Sequence, residues 1–192
     1  MKKAIKSVRY KRARKRKTNY KTRLNLLKSR KSRIVIRLSK KNIWAQIVNF
    51  EIKGDKVLAA AHSKELIKIG WNYGKSNMPA AYLTGMLLAK KAKNKKIVGN
   101  LILDIGMNKS ISGSKLYCCL KGVIDNGLSV KHSDNIFPSE DRISGKHISN
   151  YANKIKENKE IYNRQFSKNL KEKALPERIS EEFEKVKKSI AK

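Results

Sequence analysis

The spacing of apolar side chains changes several times along the chain, and each spacing predicts a different element. Through residues 1–17 apolar side chains are too few to build a core. From Thr18, placed to cap a short helix, Tyr20, Leu24 and Leu27 fall on one face, with Lys21, Arg23 and Lys28 on the others. The period then drops to two: Ile34, Ile36 and Leu38 alternate with Arg33, Val35 and Arg37. A polar corner, Lys40–Lys41–Asn42, leads into a second apolar run, Ile43–Phe50, which reads as a hairpin. A third strand, Lys56–Ala61, follows the turn at Gly54–Asp55, completing an antiparallel meander with Arg37 on its outward face.

Beyond the meander the rhythm is helix, strand, helix. Asn77–Met78–Pro79 opens a helix with proline in the first turn, where a missing N–H is harmless. Its body, AAYLTGMLLAKKA, is apolar nearly all round and so is expected to lie buried against the sheet. Ile97–Ile105 reads as a buried strand. Ser114 is placed to cap the helix KLYCCLKGVIDN, which Gly127 stops. Two amphipathic helices are expected after that. One runs from about Ser144 with Ile148, Tyr151 and Ile155 along a face; the other starts at Pro176 with a stripe of Ile179, Phe183, Val186 and Ile190. Glutamates early and lysines late in that last helix suit its dipole. The fold class is therefore α/β, a mixed sheet with helices packed on it. We divide the chain into a basic arm with a short helix (1–30), a core (31–140) and a helical C-terminal extension (141–192).

Charge narrows the function. Across 192 residues, 47 Lys and Arg oppose 15 Asp and Glu, a net +32. Nineteen of the basic residues lie in positions 1–50, where there is no carboxylate at all. Such an excess points to a polyanion, and the arm is expected to be disordered until one orders it. Tyr10 and Tyr20 among its arginines offer base stacking beside phosphate contacts. With 40% hydrophobic residues the chain can nonetheless bury a core. The longest near-apolar stretch, Pro79–Ala89, is too short to cross a bilayer, and no signal-peptide pattern is present. The only cysteines, Cys118 and Cys119, are adjacent. That arrangement suits neither an ordinary disulfide nor a zinc site and points to a reducing cytoplasm.

Catalytic patterns are missing. His62, His132 and His147 form no HxxxH or HExxH pair, and there is neither a GxxxxGK[ST] loop nor a GxSxG elbow. A two-metal nuclease would need Asp104 and Asp125 side by side. Neither cofactor nor metal is expected. A membrane-active protein would need a basic helix with a bulky apolar face, which the arm lacks. The remaining rival is a non-specific RNA-coating or chaperone protein acting through the arm alone.

The segments VIRLSKKNIWAQIV, AAAHSKELIKIGW, NMPAAYLTGMLLAKKA, LDIG and GSKLYCCLKGVIDNGLSVKHSDNIFP resemble, in that order, the archaeal and eukaryotic branch of one ribosomal family. This is the large-subunit family, numbered eighteen, whose members bind 5S ribosomal RNA. The resemblance covers about Tyr10 to Tyr151 and is most specific at Asn77–Gly85 and at Lys121–Gly122 with Asp125 and Gly127–Leu128. It implies a non-enzymatic structural component of the cytoplasmic ribosome that attaches 5S rRNA to the large-subunit rRNA in the central protuberance, beside neighbouring ribosomal proteins. It also implies RNA contacts at Arg9, Tyr10, Arg12, Arg14, Arg16, Tyr20 and Arg23 in the arm. On the hairpin the implied contacts are Arg33, Arg37, Lys40, Lys41 and Asn42, and in the loops His62, Ser63, Trp71, Asn77 and His132. Lys115 departs from the family's usual arginine and keeps only the charge.

Overall fold

The computed structural model describes residues 8–97 and 99–191; the first seven residues of the expected arm lie outside them. The alternation at 33–38 becomes strand β1 (Arg33–Leu38), paired antiparallel with β2 (Ile43–Asn49). β2 pairs antiparallel in turn with β3 (Lys56–His62), through a register shift at Ile47/Val48. A short β4 (Ile102–Asp104) adds to the other side of β1 in parallel, so the sheet runs β3-β2-β1-β4. Helix α3 (Met78–Asn94) supplies the crossover that a parallel pair requires.

One face of the sheet is dry. Ile34 and Ile36 from β1, with Ile43, Ala45 and Ile47 from β2, are fully buried in the core. α3 packs across this face, and α4 (Lys115–Asp125) and α8 (Ile179–Ala191) pack on α3. This sandwiching explains why α3 is apolar on every side: from Met78 to Ala89 each residue is buried. Asn77 caps it, its Oδ1 accepting from the Ala80 N–H at 2.9 Å.

α3 and α4 touch backbone to backbone. A Cβ added at Gly85 would lie 2.0 Å from the Cys119 carbonyl oxygen, and one at Gly122 would lie 2.2 Å from that of Tyr82. The two glycines are what allow the close crossing. The cysteines beside this contact are buried packing groups. Burial pushes the Cys118 thiol up to about 12, and its Sγ–H donates to the Met78 carbonyl.

Several expected elements differ. The strand foreseen at Ile97–Ile105, which includes Val98 outside the described residues, narrows to Ile102–Asp104. The Ile97 N–H bonds back to Ala92 to close α3, and Gly99, at φ +129°, turns the chain. Ser114 stands at the start of α4, but its buried hydroxyl makes no hydrogen bond. The described residues of the C-terminal third form four α-helices where two were expected: α5 (Glu140–Ser144), α6 (Lys146–Ile155), α7 (Lys159–Lys171) and α8. Gly145, at φ +86°, separates the first two. Pro176 opens a 3-10 turn that runs into α8.

The described part of the arm, residues 8–30, contains two short helices. It forms α1 (Lys11–Arg14) and α2 (Tyr20–Lys28). Thr18 is not the cap of α2. Asn19 Oδ1 accepts from the N–H groups of Lys21 and Thr22, while Thr18 Oγ1 accepts from Arg12 Nε at 2.9 Å. α2 buries no residue of its own.

Candidate nucleic-acid interface

A chain of charges ties the arm to the sheet. Arg23 on α2 makes a two-pronged pair with Asp55 in the β2–β3 turn, at 2.8 and 2.9 Å. Asp55 also accepts from Arg33, whose other terminal nitrogen donates to Asp104 on β4 at 2.9 Å. Asp104 in turn accepts from Arg37 at 3.0 Å. Burial pushes the Asp55 carboxyl up, but hydrogen bonds from Arg23 and Arg33 outweigh it and hold the group below its ordinary value. This chain corrects the expectation for Arg33, which is only 1% exposed and holds the protein together instead of reaching outward. Arg23 and Arg37 keep partial exposure but share their guanidinium groups with these carboxylates.

Two further expected contacts are buried. Ser63 is fully enclosed, its Oγ accepting from the Ile43 N–H. Trp71 is a core ring, 5.1 Å from Tyr73, with its indole N–H donating to the Gly74 carbonyl. Neither offers a surface to a ligand. Asp104 and Asp125 do not form a metal site: Asp125 accepts from the Tyr82 hydroxyl and pairs with Lys121. Among the described residues no cluster of His, Cys, Asp or Glu is arranged to hold a metal ion.

Of the other nominated residues, eight line two basic cavities. The first, about 730 Å³, is lined by Arg9, Tyr10, Arg16 and Tyr20 of the arm together with Met107. Tyr10 is 73% exposed, and its ring stands 5.1 Å from that of Tyr20. Arg12 lines a smaller neighbouring cleft with Arg23 and Arg37, and Arg14 is exposed on α1. The second cavity, about 480 Å³, is a groove where Lys40, Lys41 and Asn42 of the β1–β2 corner meet Asn77 at the start of α3. The corner is closed by Ser39 and Asn42 bonding one another, and Ser76 Oγ–H ties it to α3 by donating to the Ser39 carbonyl. Lys64, Lys75 and, from α7, Lys168 complete the groove. Neither cavity is lined by a carboxylate.

The scarcity of carboxylates matters here. Between residues 51 and 135 there are six, and Glu51, Asp55, Glu65, Asp104 and Asp125 each pair with a lysine or arginine. Most negative charge in this stretch is thus matched by a lysine or arginine, and Lys64 and Lys75, which pair with none of these five carboxylates, line the groove. His62 ends β3; its Nδ1 accepts from the Lys64 N–H, so Nε2 carries the proton. Burial and the nearby Lys64 lower its pKa. His132 sits in its loop with Nδ1 at 2.7 Å from the Val130 carbonyl and its ring 5.1 Å from Phe137.

Lys64, Lys75 and Lys168 were missed because the groove joins segments far apart in the chain. Trp44 was missed although its signal was present: it alternates with buried Ile43 and Ala45, and so must point off the other face.

Residues 6–102 match the family described as ribosomal large subunit proteins 60S L5 and 50S L18. The large ribosomal subunit protein uL18 of Korarchaeum cryptofilum is 51% identical over 179 residues, covering 93% of this chain and 91% of that protein. The uL18 of Methanococcus maripaludis is 43% identical over 181 residues, covering 94% and 93%. With likeness of this extent along nearly the whole chain, the protein belongs to the uL18 family of large-subunit ribosomal proteins.

Proposed function

We propose that this protein binds 5S rRNA through its arm and the basic face beside the β1–β2 corner, and helps attach that RNA to the large-subunit rRNA in the central protuberance. The observation that carries the proposal is the pair of carboxylate-free cavities, one arginine- and tyrosine-lined, the other lysine-lined, on a chain of the uL18 family. A-form RNA hides its major-groove edges, so recognition rests on shape, phosphate and 2′-OH contacts with stacking at unpaired bases. Lysines outnumber arginines 36 to 11, which suits phosphate contact better than base reading.

The test is a titration against a 5S rRNA transcript and a size-matched unrelated structured RNA, at two salt concentrations with tRNA as competitor. A preference of about ten-fold or more for 5S rRNA that survives the higher salt is expected. If about eight arm cations neutralise phosphates, log Kd should change with log salt by a slope on the order of 6. Equal affinities that collapse together with rising salt would overturn the proposal in favour of a non-specific RNA coat.

A further inference from the structure

The two-residue period that buries Ile43, Ala45 and Ile47 sends Trp44 to the opposite face of the sheet. Register places Arg37 of β1 across from Trp44, and Trp44 across from His62 of β3. The three side chains therefore stand in one row over three strands. At the far end of the same face Arg33 and Val48 are buried, but Trp44 is 49% exposed. Its neighbours are held in place. The His62 ring meets the indole edge-on at 5.5 Å and 71°, and its Nδ1 is tied to the backbone. Arg37 donates to the Ile36 and Asp104 carbonyls and to the Asp104 carboxylate, which fixes its plane.

We infer that this row is a stacking platform for an unpaired nucleobase, with Trp44 as the surface on which the base lies. The inference rests on the RNA-binding function proposed above and names the mode of recognition at the sheet. An exposed indole between a fixed guanidinium and a neutral imidazole offers stacking and hydrogen-bond donors together, and base stacking on aromatic rings accepts any base. The lysine groove adjoins it: Asn42 is two residues before Trp44, and Lys64 two after His62. A strand whose phosphates follow Lys40, Lys41 and Lys64 brings a base to the indole. A base inside a stem has no free face to give, so the occupant is a looped-out or bulged nucleotide.

The chain carries its own internal standard, because Trp71, the other tryptophan, is fully buried. The full-length protein is titrated with the 5S rRNA transcript and with a fully paired RNA duplex, while tryptophan emission and its quenching by acrylamide are followed. Binding of 5S rRNA should quench one tryptophan and shield it from acrylamide, whereas the duplex should not. Trp44→Phe should abolish the emission change and keep affinity within a few fold. Trp44→Ala should weaken binding roughly 5- to 100-fold with an unchanged melting temperature. If that variant fails to fold, shielding in the wild type decides. Tight 5S rRNA binding with Trp44 still open to acrylamide would overturn the platform and leave the face to a protein neighbour, while the 5S rRNA function stood. Shielding by unpaired RNAs of every sequence without preference for 5S rRNA would support the platform and overturn the 5S assignment. Absence of binding would overturn both.

Discussion

Arg33 holds a single guanidinium between two carboxylates and is almost wholly out of water. Removing it leaves Asp55 with Arg23 and Asp104 with Arg37 but takes away the buried partner they share, and a buried ion pair broken on one side costs about 3–5 kcal/mol. Arg33→Met should lower the unfolding free energy by that much in urea. Arg37→Ala, whose side chain is 46% exposed, should cost about 1 kcal/mol; equal losses would show that burial adds nothing to these pairs. Asp55 predicts an acid limit. Its folded-state pKa is depressed, so the unfolded chain binds more protons in acid, and the stabilisation is complete above the unfolded value near 4. It is lost as pH falls from about 4 through the folded-state value. Asp55→Asn should flatten the fall of melting temperature over that range, with little pH dependence of the difference at neutral pH. Alternation showed that Arg33 and Arg37 share a face, but not what meets them there, because Asp55 and Asp104 lie 22 and 71 residues away from Arg33.

The crossing of α3 and α4 is the element-scale constraint with the least slack. Gly85→Ala or Gly122→Ala must push two backbones apart, and overpacking of this kind costs about 1–3 kcal/mol. Because both methyl groups would open the same gap, the double variant should lose less than the sum of the singles, as read by chemical denaturation. Additive losses would mean that the two contacts relax separately. The buried character of α3 was legible, since no polar stripe interrupts it. The reciprocal glycine contact was not, because it depends on the register of two helices. α7 escaped the pattern for a different reason: among its thirteen residues only Phe166 is buried, too few to mark an apolar face. Three lysine contributors to the groove were missed for want of any local signal, whereas the corner Lys40–Lys41–Asn42 was visible as a turn between two alternating runs.

For the whole molecule, the uneven charge was plain from composition, and the structure shows how the fold tolerates it: α2, which has no fully buried residue, is tied to the sheet by Arg23–Asp55. Deleting residues 1–17 leaves that anchor intact. The truncated protein should keep its circular dichroism, less the small helical contribution of α1, and its melting temperature, while its affinity for RNA falls by about ten-fold or more. An unfolded truncation would show that the arm is part of the core. The position of the two carboxylates around Arg33 also has a bearing on synthesis. Asp55 emerges with the three-strand hairpin segment, so the link from α2 through Asp55 to Arg33 lies within the first 55 residues. Asp104 emerges only after the crossover helix, and until β4 pairs with β1 one side of Arg33 has no counter-charge. Pairing of β4 with β1 therefore brings Arg33 its second counter-charge as well as backbone hydrogen bonds, whereas the residues of the link from α2 through Asp55 all precede β3 in the chain.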